Sequence, residues 1–225
     1  MKRIRTLGNL VLMAAVTTAL WIVLLILYQT TTPPVETLAD QISVIESNWG
    51  LFVLNYLNAG MITIFTTAAM AGLYQFCRDG SPIWAAVGLV FVPMYGLVNS
   101  LVYFAQIFVL PRLIELYHVP ETAAAAEVFL RLAVHQWSGS AAAFANALAY
   151  AFLGVPSILF GILLVRKAPA LRIGGILLAL SGLLSLVAFF GIGIGSPALA
   201  MMTLVGGAVF LVALVMISFV LLRAR

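Results

Sequence analysis

The stretch WGLFVLNYLNAGMITIFTTAAMAGLYQF, residues 49–76, decides the fold because it contains no Asp, Glu, Lys, Arg or His. A helix of about 20 mostly apolar residues crosses roughly 30 Å of hydrocarbon, so this stretch predicts a membrane-spanning helix. Five further runs have the same character. The six predicted spans lie near Leu7–Tyr28, Trp49–Phe76, Ile83–Leu110, Ser138–Val165, Ile173–Ile194 and Leu199–Leu222.

The composition of the whole chain agrees with this interpretation. The 225 residues are 64% hydrophobic and only 8% charged, whereas soluble domains carry about 25% charged residues. We therefore predict an all-α, polytopic membrane protein whose residues 1–225 form one six-helix transmembrane domain. The single cysteine, Cys77, excludes an internal disulfide framework and a multi-cysteine metal site.

The distribution of charge predicts the orientation. Of the 11 Lys and Arg residues, only Arg112 and Arg131 lie on the side opposite the termini. Six of the seven acidic residues lie on that opposite side, and Asp79 is the exception. Positively charged loops stay in the cytoplasm, so both termini are predicted to be cytoplasmic. The net charge of +4 follows from this topology, and no nucleic-acid partner is predicted.

The first outer loop has the pattern of a short amphipathic helix. Apolar residues recur at helical spacing, and polar residues fall on the opposite side. The apolar positions are Val35, Leu38, Ile42 and Ile45, and the polar positions are Glu36, Asp40, Ser43 and Ser47.

The second outer segment is predicted to form another amphipathic helix. Its start is expected at Pro120 and Glu121, ahead of the run TAAAAEVFLRLAV, which has high helix propensity. Glu127, Arg131 and His135 are spaced by four and would share one polar stripe. Together with Glu121 they form a candidate surface for a basic partner on the outer face. Protonation of His118 and His135 near the ordinary histidine pKa of about 6.5 would reduce its negative charge.

A metal site is a weaker alternative for the same segment. Glu115, His118 and His135 carry carboxylate and imidazole groups of the kind that bind zinc. A single Glu-x-x-His pair without a second matching motif carries little weight, and Pro120 interrupts the helical register. We therefore favour a solvated helix at the membrane surface and predict no metal or other cofactor.

Uncharged polar side chains inside the predicted spans are the most informative residues for function. An amide left unpaired in hydrocarbon costs several kcal/mol, so these side chains should face one another. They either form hydrogen bonds between helices or line a polar pocket for a neutral amphiphile. The candidate pocket residues are Asn55, Asn58, Tyr95, Asn99, Tyr103, Gln106, Asn146 and Tyr150.

Two functions follow from these features. The absence of charge inside the spans argues against proton pumps and ion-coupled carriers. Small residues at Gly139, Ala143, Ala147 and Ala151 suit close helix contacts. We therefore expect a non-enzymatic accessory or scaffold subunit of a larger membrane complex, in contact with lipid and with other subunits or further copies of the chain. The alternative is a binding protein or transporter for a neutral lipid-like or quinone-like molecule, and an intramembrane enzyme is the least favoured interpretation.

The chain resembles a group of bacterial six-helix integral membrane proteins of unknown function. The resemblance rests on a short basic N-terminus, a longer loop after the first span and the N-x-L-N pattern of Asn55, Tyr56, Leu57 and Asn58. It covers most of the chain as a pattern. It implies a bacterial plasma membrane and transfers no functional residue.

Overall fold

A computed structural model describes residues 2–33, 35–137 and 139–223. Within these ranges the regular structure is helical, with one short 3-10 helix at Pro169–Leu171 and no strand. The α-helices are α1 Lys2–Thr31, α2 Leu38–Ser47, α3 Trp49–Cys77, α4 Pro82–Phe108, α5 Leu110–Tyr117, α6 Ala123–Ala133, α7 Ala141–Lys167, α8 Arg172–Gly193, α9 Pro197–Ala200 and α10 Met202–Arg223.

The prediction of an all-α protein with six apolar spans is confirmed. In the described part of the chain, six helical segments are long and apolar enough to cross a membrane. These segments are Arg3–Thr31, Trp49–Cys77, Pro82–Phe108, Ala141–Lys167, Pro169–Gly193 and Pro197–Arg223.

The boundary at the end of the third span differs from the prediction. The third span was expected to continue to Leu110, but α4 ends at Phe108 and a separate helix, α5, begins at Leu110. Pro111 explains the break because its ring and its missing N–H do not suit a continuous helix. Proline is tolerated in the first turn of the new helix, where it stands in α5.

The six long helices form a closed ring. Each packs against its neighbour in the order α1, α3, α4, α7, α8 and α10, and α10 packs back on α1. We call the end with Arg3 and Arg223 the termini end. The opposite end, which carries α2, α5 and α6, is called the capped end.

The termini half of the ring is filled with apolar side chains. Val11, Met70, Leu73, Phe160 and Leu214 are fully buried there and belong to one continuous cluster. Burial of side chains of this size supplies the packing that holds the helices together. This half therefore forms the solid core of the bundle.

The α7–α8 contact is the tightest one in this core. A Cβ atom built on Gly161 would lie 2.5 Å from the main-chain oxygen of Gly175, and one built on Gly154 would lie 2.8 Å from that of Gly182. A side chain at either position would collide with backbone. Glycine is therefore required for the two helices to approach so closely.

The helices at the capped end bury one side each. Helix α2 buries Leu38, Ile42 and Ile45, and α6 buries Ala126 and Leu130. All of these residues except Ala126 belong to a second apolar cluster together with residues of α3 and α4. Placement of these helices outside the cell, at the membrane surface, stays a prediction.

A capping box fixes the start of α2. The main-chain N–H and the hydroxyl of Thr37 both donate to Asp40 Oδ2, at 2.9 and 2.7 Å, and the Asp40 N–H donates back to the hydroxyl at 3.1 Å. Hydrogen bonding to the charged form lowers the pKa of Asp40.

Candidate functional site

The capped half of the ring is hollow. A cavity of about 500 Å³ lies between the helices, and all six spans contribute to its wall. Five of the eight pocket residues predicted from the sequence line it: Asn55, Tyr95, Tyr103, Asn146 and Tyr150. The rest of the wall is mainly apolar, with small hydroxyl groups among the apolar side chains.

Two amide oxygens in this wall lack a protein partner. Within the described residues, the buried Oδ1 atoms of Asn55 and Asn146 accept no hydrogen bond. Asn55 is only 6% exposed. A buried acceptor without a partner costs about 1–3 kcal/mol, and a donor brought to these side chains by a bound molecule would remove that cost.

Tyr95 adds a third polar group to the same wall. Its side chain is 1% exposed, and its hydroxyl lies near Thr63, Thr66 and Asn99. No hydrogen bond of good geometry reaches that hydroxyl from the residues that the structure describes. The Tyr95 hydroxyl is therefore enclosed among polar side chains of α3 and α4.

Other predicted residues pair within the bundle. The Tyr103 and Tyr150 hydroxyls are 3.0 Å apart. Asn99 Nδ2 donates to Thr63 Oγ1 at 3.0 Å, and Asn58 Nδ2 donates to the Thr17 carbonyl at 3.0 Å. Neither Asn58 nor Asn99 is part of the cavity lining. Tyr103 and Tyr150 thus line the cavity and also join α4 to α7, whereas Asn58 and Asn99 join helices outside the lining.

Gln106, the last of the eight, anchors the segment that covers the cavity. Its Nε2 donates to the Ala133 carbonyl at 2.9 Å, and its Oε1 accepts the N–H of His135 at 3.1 Å. One side chain of α4 thereby satisfies a backbone group of the last residue of α6 and another two residues beyond it, where the helix stops.

His135 faces the cavity and does not belong to the exposed stripe expected from the sequence. Helix α6 ends at Ala133, so the register that would align His135 with Glu127 and Arg131 is lost. The His135 Nδ1 instead lies 2.9 Å from the Tyr56 hydroxyl. Burial lowers the pKa of His135 to about 4, which also corrects the expectation that it titrates near 6.5.

The remaining residues of the predicted partner surface are on the surface of the bundle. Glu121 is exposed, and Arg131 Nη2 lies 2.7 Å from Glu127 Oε1 in an exposed ion pair. Both members of this pair are about half exposed, at 50% and 42%, so the pair is worth little stability.

The three residues of the weaker metal hypothesis do not form one site in the described part of the chain. Glu115 pairs with Arg112 at 2.5 Å, and His118 Nε2 lies 2.8 Å from Glu46 Oε1. His135 is turned inward to Tyr56. Within residues 2–33, 35–137 and 139–223, no group of three or more His, Cys, Asp or Glu residues is placed to hold a metal ion.

The cavity has an open side between α1 and α10. Among the described lining residues, only Gln29 of α1 and Leu204 and Ala208 of α10 are exposed. A Cβ atom at Gly207, another lining residue, would meet nothing within 4 Å. The two helices meet at the termini end, where a Cβ on Gly8 would lie 2.9 Å from Leu222 Cδ2. They therefore leave a lateral gap in the capped half.

The chemistry of this site is suited to the recognition of an uncharged molecule. The described lining contains no Asp, Glu, Lys or Arg, and the low pKa of His135 keeps its imidazole uncharged at neutral pH. Amide and phenol groups donate and accept hydrogen bonds without carrying charge. The site is suited to a hydroxyl, carbonyl or ester group attached to an apolar body.

Sequence reasoning missed part of the lining. Thr18, Ser157, Ser181, Ser185 and Thr203 all face the cavity, as do His135 and Gln136. Small hydroxyls in apolar helices commonly bond their own backbone, as Ser185 does with the Ser181 carbonyl at 3.0 Å. Ser181 and Ser185 share one helical face, and this spacing was the sequence signal that could have predicted their place in the lining.

The fold defines a multi-pass helical membrane protein with a mainly apolar cavity in its capped half. Comparison of the chain with protein-family models, with curated proteins and with solved structures gave no match.

Proposed function

We propose that this protein binds one neutral lipid-like molecule in the cavity of the capped half. The observation that carries the proposal is the pair of unpartnered amide oxygens, on Asn55 and Asn146, in an otherwise apolar wall. Ligand sites typically have volumes of about 300–1,000 Å³ and combine apolar walls with a few polar groups. A volume of about 500 Å³ suits a small amphiphile.

The position of the polar groups suggests how the ligand is oriented. Tyr95 and Asn146 belong to α4 and α7, across the ring from the gap between α1 and α10, and Asn55 belongs to α3, beside α1. The gap has apolar lining residues such as Ile22, Leu25 and Leu204. A hydroxyl or carbonyl head would bind at the amides, and an apolar tail would extend through the gap into lipid.

Binding is favoured over passage through the protein. The termini half is filled by large buried side chains, including Met70, Phe160 and Leu214. A molecule held in the capped half would therefore have to displace this core in order to cross. The quinone-like and lipid-like alternatives share the same recognition chemistry, and retained-ligand analysis separates them.

The direct test is native mass spectrometry after gentle extraction, with lipids identified from the released mass. We expect one neutral amphiphile per chain and lower retention in Asn146→Leu. Asn58→Leu is the matched control because Asn58 bonds Thr17 outside the cavity. Gly207→Leu should reduce retention by narrowing the gap. A wild-type protein that retains no small molecule, or an Asn146→Leu variant that retains as much, would contradict the proposal.

The accessory-subunit function stays a prediction with less support. The glycines of α7 and α8 that allow close contact are used inside the chain, at Gly154–Gly182 and Gly161–Gly175. The same mass spectra separate the two functions: a stable protein partner without a bound small molecule would support a subunit role.

The proposed setting is a bacterial plasma membrane with both termini in the cytoplasm. Cysteine at Glu36 or Glu121, both exposed, should react with an impermeant thiol reagent in intact cells. Cys77 is a poor inner-face control because it is 1% exposed. In a Cys77→Ser background, Asp79→Cys provides an exposed site that should stay unlabelled, and the reverse pattern would contradict this orientation.

A further inference from the structure

A second site lies at the termini end, outside the cavity and independent of the function proposed for it. A groove of about 710 Å³ runs between α1 and α3 and reaches the end of α7. Three cationic side chains line it, those of Arg3, Arg78 and Lys167, together with one carboxylate, that of Asp79. The groove therefore carries a formal charge of +2 from these four groups.

The cations are only partly neutralised by the protein. Arg78 Nε lies 3.6 Å from Asp79 Oδ1, and both side chains are exposed, at 49% and 78%. An exposed pair of this length is weak. Arg3 is exposed and has no ionic partner within the described residues. Both guanidinium groups are thus available to an anion.

Lys167 helps to shape the groove. Its ammonium donates to the main-chain carbonyl of Phe76, near the end of α3, and lies 4.5 Å from the centre of the Phe76 ring. A cation at a helix C-terminus is favourable because the carbonyl dipoles point toward it. This contact fixes the end of α7 beside α3 and leaves further N–H donors on the ammonium.

The groove becomes apolar away from the charged mouth. Leu7, Leu10 and Gly72 line its deeper part. Leu10 stands seven residues beyond Arg3, which corresponds to about 10 Å along a helix. Charge at the surface and apolar walls below it match the shape of a phospholipid, with a phosphate at the mouth and an acyl chain along α1 and α3.

We propose that this groove binds the phosphate head of an anionic phospholipid. Basic pockets between spanning helices on one membrane face are suited to such heads, and arginine binds phosphate oxygens in a bidentate manner. A free phosphate would use the same guanidinium groups but would leave the apolar part of the groove unused.

The test uses the full chain in a nonionic detergent and native mass spectrometry, with phosphatidylglycerol, phosphatidylcholine and inorganic phosphate as probes. We expect phosphatidylglycerol to be retained above phosphatidylcholine. Each surface cation contributes about 1 kcal/mol to binding of anionic lipid, equivalent to about fivefold in affinity. Arg3→Gln and Arg78→Gln should each weaken retention by about fivefold, and the double variant by about thirtyfold.

Two controls keep the result specific. Arg172→Gln removes a cation at the same end that does not line the groove, and it should leave retention unchanged. The double variant Arg3→Lys with Arg78→Lys keeps the charge and should restore most of it. Equal retention of the two lipids, full retention by the double glutamine variant, or displacement of the lipid by millimolar inorganic phosphate would overturn the proposal.

Discussion

The α7–α8 contact and the α1–α10 contact are built in opposite ways within one ring. Helices α7 and α8 approach so closely that Cβ atoms on Gly161 or Gly175 would lie 2.5–2.6 Å from backbone oxygen. Helices α1 and α10 meet near Gly8 and Leu222, but around Gly207 a new side chain would find open space. The first contact packs two helices backbone to backbone, and the second leaves a gap beside the cavity.

The largest expected effect on the free energy of unfolding comes from adding a side chain to a glycine in the contact between α7 and α8. In Gly182→Leu the new side chain would collide with the main-chain oxygen of Gly154 and with Ser157 Cβ at 2.9 Å. Backbone cannot move aside cheaply, so we expect a loss of about 3 kcal/mol or more in the free energy of unfolding. Equilibrium unfolding in mixed micelles measures this loss.

The matched control for that variant is a substitution in α10, at its contact with α1. Gly207→Leu meets nothing within 4 Å and should not lower the free energy of unfolding, because replacing a glycine inside a helix stabilises it by about 0.5–1 kcal/mol. Similar losses in the two variants would show that the two contacts do not differ as described.

The second expected effect is a dependence of stability on pH, caused by His135 in the segment that covers the cavity. His135 has a pKa of about 4 in the folded chain, against about 6.5 when unfolded. Between these values the unfolded chain binds more protons, so stability is fully present above about pH 6.5 and is lost as pH falls toward 4. The complete loss is at most about 3 kcal/mol.

Thermal unfolding between pH 4 and pH 7 measures this dependence. His135→Phe should flatten the profile because it removes the buried proton acceptor, whereas His118→Gln, at an exposed histidine paired with Glu46, should leave most of the slope. A slope that persists in His135→Phe would assign the pH dependence to other groups.

Replacement of two asparagines in α3 should change the free energy of unfolding in opposite directions. Asn55→Leu removes a buried acceptor without a partner, so the chain should become more stable by about 1 kcal/mol. Asn58→Leu removes the bond to the Thr17 carbonyl and should cost about 0.6–2 kcal/mol. Unfolding measurements on ligand-free protein test both signs, and a stability loss in Asn55→Leu would mean that its oxygen is satisfied inside the bundle.

The same pair shows how far the sequence predicts this protein. Hydropathy and length suffice for the six spans because each spanning helix must satisfy its own backbone in lipid. Polarity shows that Asn55 and Asn58 face the interior, but their roles depend on which neighbour each one meets. Those neighbours are set by packing between helices far apart in the chain, as for Asn58 and Thr17.

His135 shows why the cover of the cavity was not predicted. Its spacing from Glu127 and Arg131 suits one helical stripe only if α6 continues, and α6 ends at Ala133. The end is fixed by Gln106, which comes from a different helix. A local pattern contains no information about that contact, so the predicted stripe was wrong at its last member.

The smallest expected effect lies on the exposed surface of the capped end. Glu127→Gln breaks the ion pair with Arg131, and an exposed pair four residues apart in a helix contributes about 0.3–0.5 kcal/mol. We expect a stability change of that size, measured by unfolding at low salt.

If a basic partner binds this surface, Glu121→Gln with Glu127→Gln should weaken its affinity while the bundle stays folded. Added salt should weaken it as well, because exposed charges are screened over about 8 Å at 0.15 M ionic strength. A partner whose affinity ignores both changes would show that the acidic surface is only a consequence of topology.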